Sequence, residues 1–193
     1  MRASDVGDAT LGAAIALHER VRAAGLASTA AAAAAIAASL RRGGKVLVFG
    51  NGGSAADAQH TAAELVGRFA RERHGYAAIA LTTDGCVLTS VANDYGYDRV
   101  FARQIEGLGQ PGDVALGITT SGESANVVRA LETARALKLT TIALTGRDGG
   151  AAGRAADVHI NVPSDVTPRV QEVHMTLLHV LCDLVETELS ADQ

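Results

Sequence analysis

The strongest constraint on the fold is an alternation that begins at Lys45. Five short runs rich in aliphatic and β-branched residues, KVLVFG (45–50), AAIALTT (77–83), DVALGITT (113–120), TTIALTG (140–146) and DVHINVPS (157–164), each end near Gly, Thr or Ser. Helical stretches of roughly ten to fifteen residues lie between them. Near-continuous apolar runs suit strands covered on both faces, and strand–helix alternation suits a parallel sheet between two helical layers. Ahead of the first run, Thr10–Ala24 and Ser28–Arg42 read as two helices, the second closed by Gly43-Gly44, where glycine accepts a left-handed C-cap. After the last run, TPRVQEVHMTLLHVLCDLVETELS places Pro168 in a first turn and apolar residues at 173, 177, 180, 181 and 184, which predicts a long amphipathic C-terminal helix. The expected organisation is one domain over 1–193, with N-terminal helices in 1–43 and an α/β sandwich with the C-terminal helix in 45–193.

Composition narrows the function classes. With 193 residues, 48% hydrophobic, 20% charged and a net charge of −4, the chain belongs among globular proteins rather than nucleic-acid or anionic-membrane binders. Aromatic residues at 3% leave little to stack on bases. The longest apolar candidate, AAAAAIAAS (31–39), is an alanine helix rather than a membrane span, and MRASDVGDATLG has no secretory core, so a cytoplasmic location is expected. Cys86 and Cys182 stand far apart in apolar surroundings and read as buried small hydrophobes rather than a disulfide or a thiolate metal site.

In a sheet of this kind ligands sit beyond the carboxyl ends of the strands. The first such loop, GNGGSAADAQH, carries Gly50, Gly52 and Ala55 in a G-x-G-x-x-A spacing before a helix, and Asp84 follows the second strand where a ribose-binding acid would stand. A dinucleotide-binding enzyme is one reading of those letters. The loop after the third strand, ITTSGESANVVRA, points elsewhere. Thr119, Thr120, Ser121 and Ser124 surround Gly122 at a helix start, a cradle for phosphate of which one or two hydroxyls are expected to serve as helix caps. A small phosphorylated sugar uses such a second cradle; a dinucleotide does not need it.

On the helix leaving the first loop, His60 and Glu64 are one turn apart and share a face, as metal ligands, as an acid/base pair, or as a hydrated helix surface. The last helix carries Gln171, Glu172, His174 and His179. Glu172 and His179 share a face most closely, Gln171 and His179 are about 12 Å apart along the axis, and His174 reads as an ordinary surface or interface histidine.

The segments GNGGSAADAQHTAAEL, VANDYGYD, TSGES with NVVRA, LTGRDGG and RVQEVHMTLLHVL, in this order and spacing, resemble the phosphoheptose isomerases of the SIS (sugar isomerase) family. The resemblance implies a flavodoxin-like five-stranded parallel sheet and an aldose–ketose isomerase converting sedoheptulose 7-phosphate to D-glycero-D-manno-heptose 7-phosphate. It implies a homotetramer with active sites at subunit interfaces, and heptose supply for lipopolysaccharide, a surface layer or a small natural product. By the same resemblance, one Zn²⁺ per subunit falls to His60, Glu64, Gln171 and His179. Substrate contacts fall to Asn51, Gly52, Gly53, Ser54, Glu64, Asn93, Asp94, Thr119, Thr120, Ser121, Ser124 and Gln171. An enediol route would use Glu64 as base and His179 as acid. Thr119 stands where the family commonly has Ser. Glu123, where it commonly has Asn or Lys, is expected to face solvent. A second branch of the family is a non-catalytic adaptor for the replication initiator DnaA, with C-terminal wording close to LCDLVETEL; it lacks the counterparts of Glu64 and His179.

Overall fold

The alternation from Lys45 onward forms a five-stranded, all-parallel sheet in the computed structural model, which describes residues 2–190. Strands β1 (Val46–Gly50), β2 (Ala78–Ala80), β3 (Val114–Thr119), β4 (Thr140–Gly146) and β5 (Val158–Val162) lie in the order β2-β1-β3-β4-β5. The flanking helices are α1 (Ala3–Ala24), α2 (Ala27–Arg41), α3 (Gly53–Val66), α4 (Gly85–Tyr95), α5 (Val100–Leu108), α6 (Ala125–Ala136), α7 (Gly150–Ala155) and α8 (Thr167–Ser190).

Alternate side chains of each strand point to opposite faces, so the sheet carries two cores. Val46, Val48, Leu116, Ile118, Ile142 and Leu144 pack with Leu17, Ile36, Leu65, Leu177 and Leu181, which brings α1, α2, α3 and α8 onto one face. Leu47, Phe49, Ala115 and Ala143 pack with Val91, Phe101, Ile105, Leu131 and Ala152, so α4 to α7 cover the other. Each fully buried aliphatic side chain contributes roughly 1.5–3 kcal/mol. The alanine tract becomes α2, whose Ala32, Ala33, Ile36 and Ala37 are wholly buried. Among the described residues no single helix is long and apolar enough to cross a membrane.

The sheet reverses its winding at β1 and β3, which pair directly over Val46–Gly50 and Val114–Ile118. The connection from β1 runs through α3 on one face, and that from β3 runs through α6 on the other. A crevice therefore opens between their carboxyl ends.

Five expectations are corrected. Helix α1 starts at Ala3 rather than Thr10, and the helical stretch between β2 and β3 is two helices, broken where Gly96 takes φ 90° before the 3₁₀ turn Tyr97–Arg99. Strand β2 spans three residues rather than 77–83, because an edge strand has only β1 to pair with and the chain turns toward α4 once Ala80 has paired with Val48. Cys86 is exposed in the first turn of α4, while Cys182 is buried as expected. Burial, then the nearby charges of Glu64 and Glu186, pushes the Cys182 thiol up to about 12. His174 is no surface residue: it is fully buried, and its Nε2 donates to the Thr145 carbonyl at 3.0 Å, fastening α8 to the end of β4.

Candidate active site

The first loop has the close packing its glycines allow. A Cβ on Gly50 would stand 2.8 Å from the Ile118 carbonyl oxygen, so only glycine lets β1 end against β3. Gly52 takes φ 57° and opens α3, and a side chain on Gly53 would overlap the Gln171 amide. At this end of the crevice lies a cavity of about 290 Å³, lined by Asn51, Gly52, Gly53, Ser54, Thr119, Thr120, Ser124 and Gln171, with Ile118 and Thr167.

The hydroxyls hold one another rather than capping the helix. Thr119 Oγ1 lies 3.2 Å from Ser121 Oγ and 2.9 Å from Ser124 Oγ, and Ser121 Oγ accepts from the Glu123 N–H at 3.1 Å. Ser124 occupies the N-cap position of α6 without a side-chain cap bond, so the expectation that one or two of these groups cap α6 does not hold. The positive end of α6 and its first N–H groups are left facing the loop, a site suited to a dianion. Glu123 is exposed and turned from the loop, accepting from the Ala151 N–H at 2.9 Å with Arg154 at 3.7 Å.

Beneath the cavity, Asn51 and the buried Asn126 exchange amide hydrogen bonds of 2.8 and 2.9 Å, and the Tyr97 hydroxyl donates to Asn51 Oδ1 at 3.2 Å. Asn126 and Tyr97 lie within the segments NVVRA and VANDYGYD that carry the resemblance, but neither is among the expected site residues. The order NVVRA after a phosphate loop was the available signal for Asn126. Asn93 and Asp94 lie outside the cavity, exposed and bonded to each other at 2.8 Å. Asp84 accepts from the Val87 N–H at 2.9 Å as the N-cap of α4, which occupies the acid the dinucleotide reading needs.

Farther along α3 a second cluster forms. His60 Nε2 stands 3.0 Å from Glu64 Oε1 and 3.2 Å from His179 Nε2, and ligand atoms of the three residues lie within 4.8 Å of one another. The Phe69 ring lies 5.4 Å from the His179 ring. Two imidazole nitrogens and a carboxylate oxygen suit zinc, and these two measured spacings approach the edge of about 3.3 Å that tetrahedral bonds near 2.0 Å require. The donor set thus fits a metal ion, which His60, Glu64 and His179 would hold. Gln171, a further ligand by resemblance, lies against Gly53 in the cavity and two turns of α8 from His179. Glu172 pairs with Arg169.

One residue beside this cluster gave no signal in the sequence. Asp57, one turn before His60 on α3, is buried, and its Oδ2 has no hydrogen-bond partner among the described residues. Burial pushes its carboxyl up to about 6 against the opposing effect of His60.

The SIS domain family matches residues 11–146, more than half of the chain. The phosphoheptose isomerase of Geotalea daltonii is 58% identical over 155 residues, covering 80% of this chain and 81% of that one. That of Aquifex aeolicus is 61% identical over 148 residues, covering 77% and 78%. The solved structure of a phosphoheptose isomerase from Francisella tularensis superposes with a TM-score of 0.93 at 39% identity, over 97% of this chain and all of that one. An α/β sheet of this order, a hydroxyl cradle at its switch point and these relatives agree. The chain belongs to the SIS domain family and, within it, to the phosphoheptose isomerases.

Proposed function

We propose that this isomerase converts sedoheptulose 7-phosphate to D-glycero-D-manno-heptose 7-phosphate, a sugar-phosphate isomerisation of heptose biosynthesis. One observation carries the reading: a phosphate cradle and a His/Glu/His cluster occupy two stations joined by α3 and α8. His60 and Glu64 lie seven and eleven residues beyond Gly53, about 10 and 16 Å along the α3 axis. A seven-carbon sugar with phosphate at one end and the reacting carbons at the other suits that separation.

The cradle residues Thr119, Thr120, Ser121 and Ser124, with the start of α6, bind the phosphate. Asn51, Gly52, Gly53, Ser54 and Gln171 meet the adjoining hydroxyls, and Asn93 and Asp94 contact substrate by resemblance. Glu64 removes the proton from C1 and returns it to C2, and the electron pair passes through an enediol. His179 carries the proton between O2 and O1, so that the C2 carbonyl becomes a hydroxyl as the C1 hydroxyl becomes an aldehyde. Zinc, one ion per subunit, would be held by His60, Glu64 and His179 and would polarise the carbonyl. Gln171 as a zinc ligand rests on resemblance alone; its amide lies with the substrate contacts.

In one chain the cluster is open, with the His60 side chain 44% exposed. A homotetramer with sites at subunit interfaces would close it. Exposed apolar residues at Leu11 and Ile15 on α1 and Val66 at the end of α3 support such contacts. A cytoplasmic location is part of the same reading. The cluster weighs against the adaptor alternative, which needs no Glu64 or His179.

The test is turnover of sedoheptulose 7-phosphate by metal-replete protein, with the product identified by NMR and sedimentation run in parallel. Formation of the manno-heptose phosphate is expected; no turnover by zinc-loaded protein would remove the proposal.

A further inference from the structure

A buried ion pair just beyond the cluster is not used by the chemistry above. Glu186 on α8 is fully buried and accepts from the backbone N–H groups of Phe69 at 2.8 Å, Ala70 at 3.0 Å and Arg71 at 2.9 Å, and from Arg73 Nε at 2.9 Å. Burial pushes this carboxyl up, but the backbone donors and Arg73 outweigh it and hold it below its ordinary value. It therefore stays ionised.

Arg73 directs its other nitrogens to the end of α3 and the segment that follows it. Its side chain is 2% exposed; Nη2 donates to the Glu64 carbonyl at 2.9 Å, and Nη1 donates to those of Leu65 and His74 at 2.9 Å and Gly67 at 3.3 Å. The Tyr76 ring lies 3.8 Å beneath the guanidinium. The Glu64 and Leu65 carbonyls belong to the last turn of a helix, which has no intrahelical donors for them. One planar fork thus closes the end of α3 and grips α8. Both helices that form the cluster are joined here: Glu64 supplies a carbonyl to the joint, and Glu186 follows His179 by two turns on the same face. Phe69, whose N–H binds Glu186, lays its ring against His179.

For stability alone this arrangement has little to recommend it. Taking both charges from water costs several kcal/mol, and a well-packed apolar replacement is often neutral or better. What an apolar pair lacks is direction.

We propose that Arg73 and Glu186 are positioning residues that hold α3 and α8 at the spacing where His60, Glu64 and His179 form one donor set. The inference rests on the functional reading only in giving that set a chemical role. Arg73→Lys keeps a cation but loses the fork, and Glu186→Gln keeps the shape but loses the charge. Lys45→Met serves as control, because it breaks the Lys45–Asp113 pair (2.6 Å) that ties the amino ends of β1 and β3, away from the cluster.

Zinc binding to the metal-free folded protein is measured by calorimetry, beside kcat, KM and Tm. Both variants are expected to lose about 10–100-fold in zinc affinity and in kcat, while KM moves less than about threefold because the cradle is untouched. Lys45→Met should lower Tm and leave zinc affinity unchanged. Wild-type zinc affinity and kcat in a folded Arg73→Lys or Glu186→Gln protein, with only Tm reduced, overturns the proposal. Should one variant fail to fold, the other decides. Failure of the wild type to turn over the sugar phosphate would instead count against the functional reading, and the zinc measurement would still decide this one.

Discussion

The cradle and the His/Glu/His cluster share α3 and α8 but are made differently. The cradle is built from chain ends: Gly50 and Thr119 finish neighbouring strands, and Ser124 starts a helix, so most of its residues fall in two short stretches. The cluster is built from side chains on two helices, with His179 more than a hundred residues from His60. Backbone and short hydroxyls bind phosphate by geometry that strand and helix ends fix in advance. Long side chains on separate helices need their helices held at a set distance before they can act together. The proposed function divides the labour accordingly, with binding assigned to the cradle and chemistry to the cluster.

The sharpest attempt to break this division is Glu64→Gln. A lost general base costs about 10²–10⁴ in rate. Substrate held in heavy water should stop exchanging its C1 proton while KM stays close to wild type; normal exchange would take Glu64 out of the role. Removing the metal comes next. Chelation should lower kcat by about 10–100-fold, with recovery on adding zinc. Chelator-treated protein that is confirmed metal-free and fully active would show the cluster working without a metal.

Thr119→Val probes the opposite end. It removes the hydroxyl that ties Ser121 to Ser124, and a rise of about tenfold in KM with kcat preserved is expected, equivalent to about 1.4 kcal/mol. A fall in kcat alone would blur the division. His174, which lies on α8 between Gln171 and His179 and bonds to Thr145, bears on stability rather than on turnover. Burial first, against the opposing Thr145 bond, lowers its pKa from 6.5 to about 4. Because the folded value lies below the unfolded one, the unfolded chain takes up the extra proton. Stability is therefore lost as pH falls from 6.5 toward 4, by about 3 kcal/mol at most. Urea unfolding at pH 7 and pH 4.5 should show a weaker slope in His174→Leu, and equal slopes would mean that His174 does not report on acid unfolding.

Much of this is legible in the sequence. The β-branched runs specified a parallel sheet, and glycine with hydroxyls at strand ends located the crevice. The illegible parts share a cause. Asn126 looked like any first-turn residue until the ends of β1 and β3 came together and gave it Asn51 as a partner. Asp57 gave no periodic signal, because its burial depends on what packs over α3. Cys86 misled because its apolar neighbours belong to a helix whose first turn faces water.

The sequence alone therefore determined most of the elements, their alternation and the two loops rich in glycine and hydroxyls, since each rests on interactions between residues near one another along the chain. Resemblance groups His179 with His60 and Glu64, but only the tertiary structure decided the distances among them, that Gln171 lies over Gly53 apart from His179, and that Arg73 and Glu186 join α3 to α8. Those contacts depend on the distance and rotation between helices, which packing against a common sheet sets and no local pattern records.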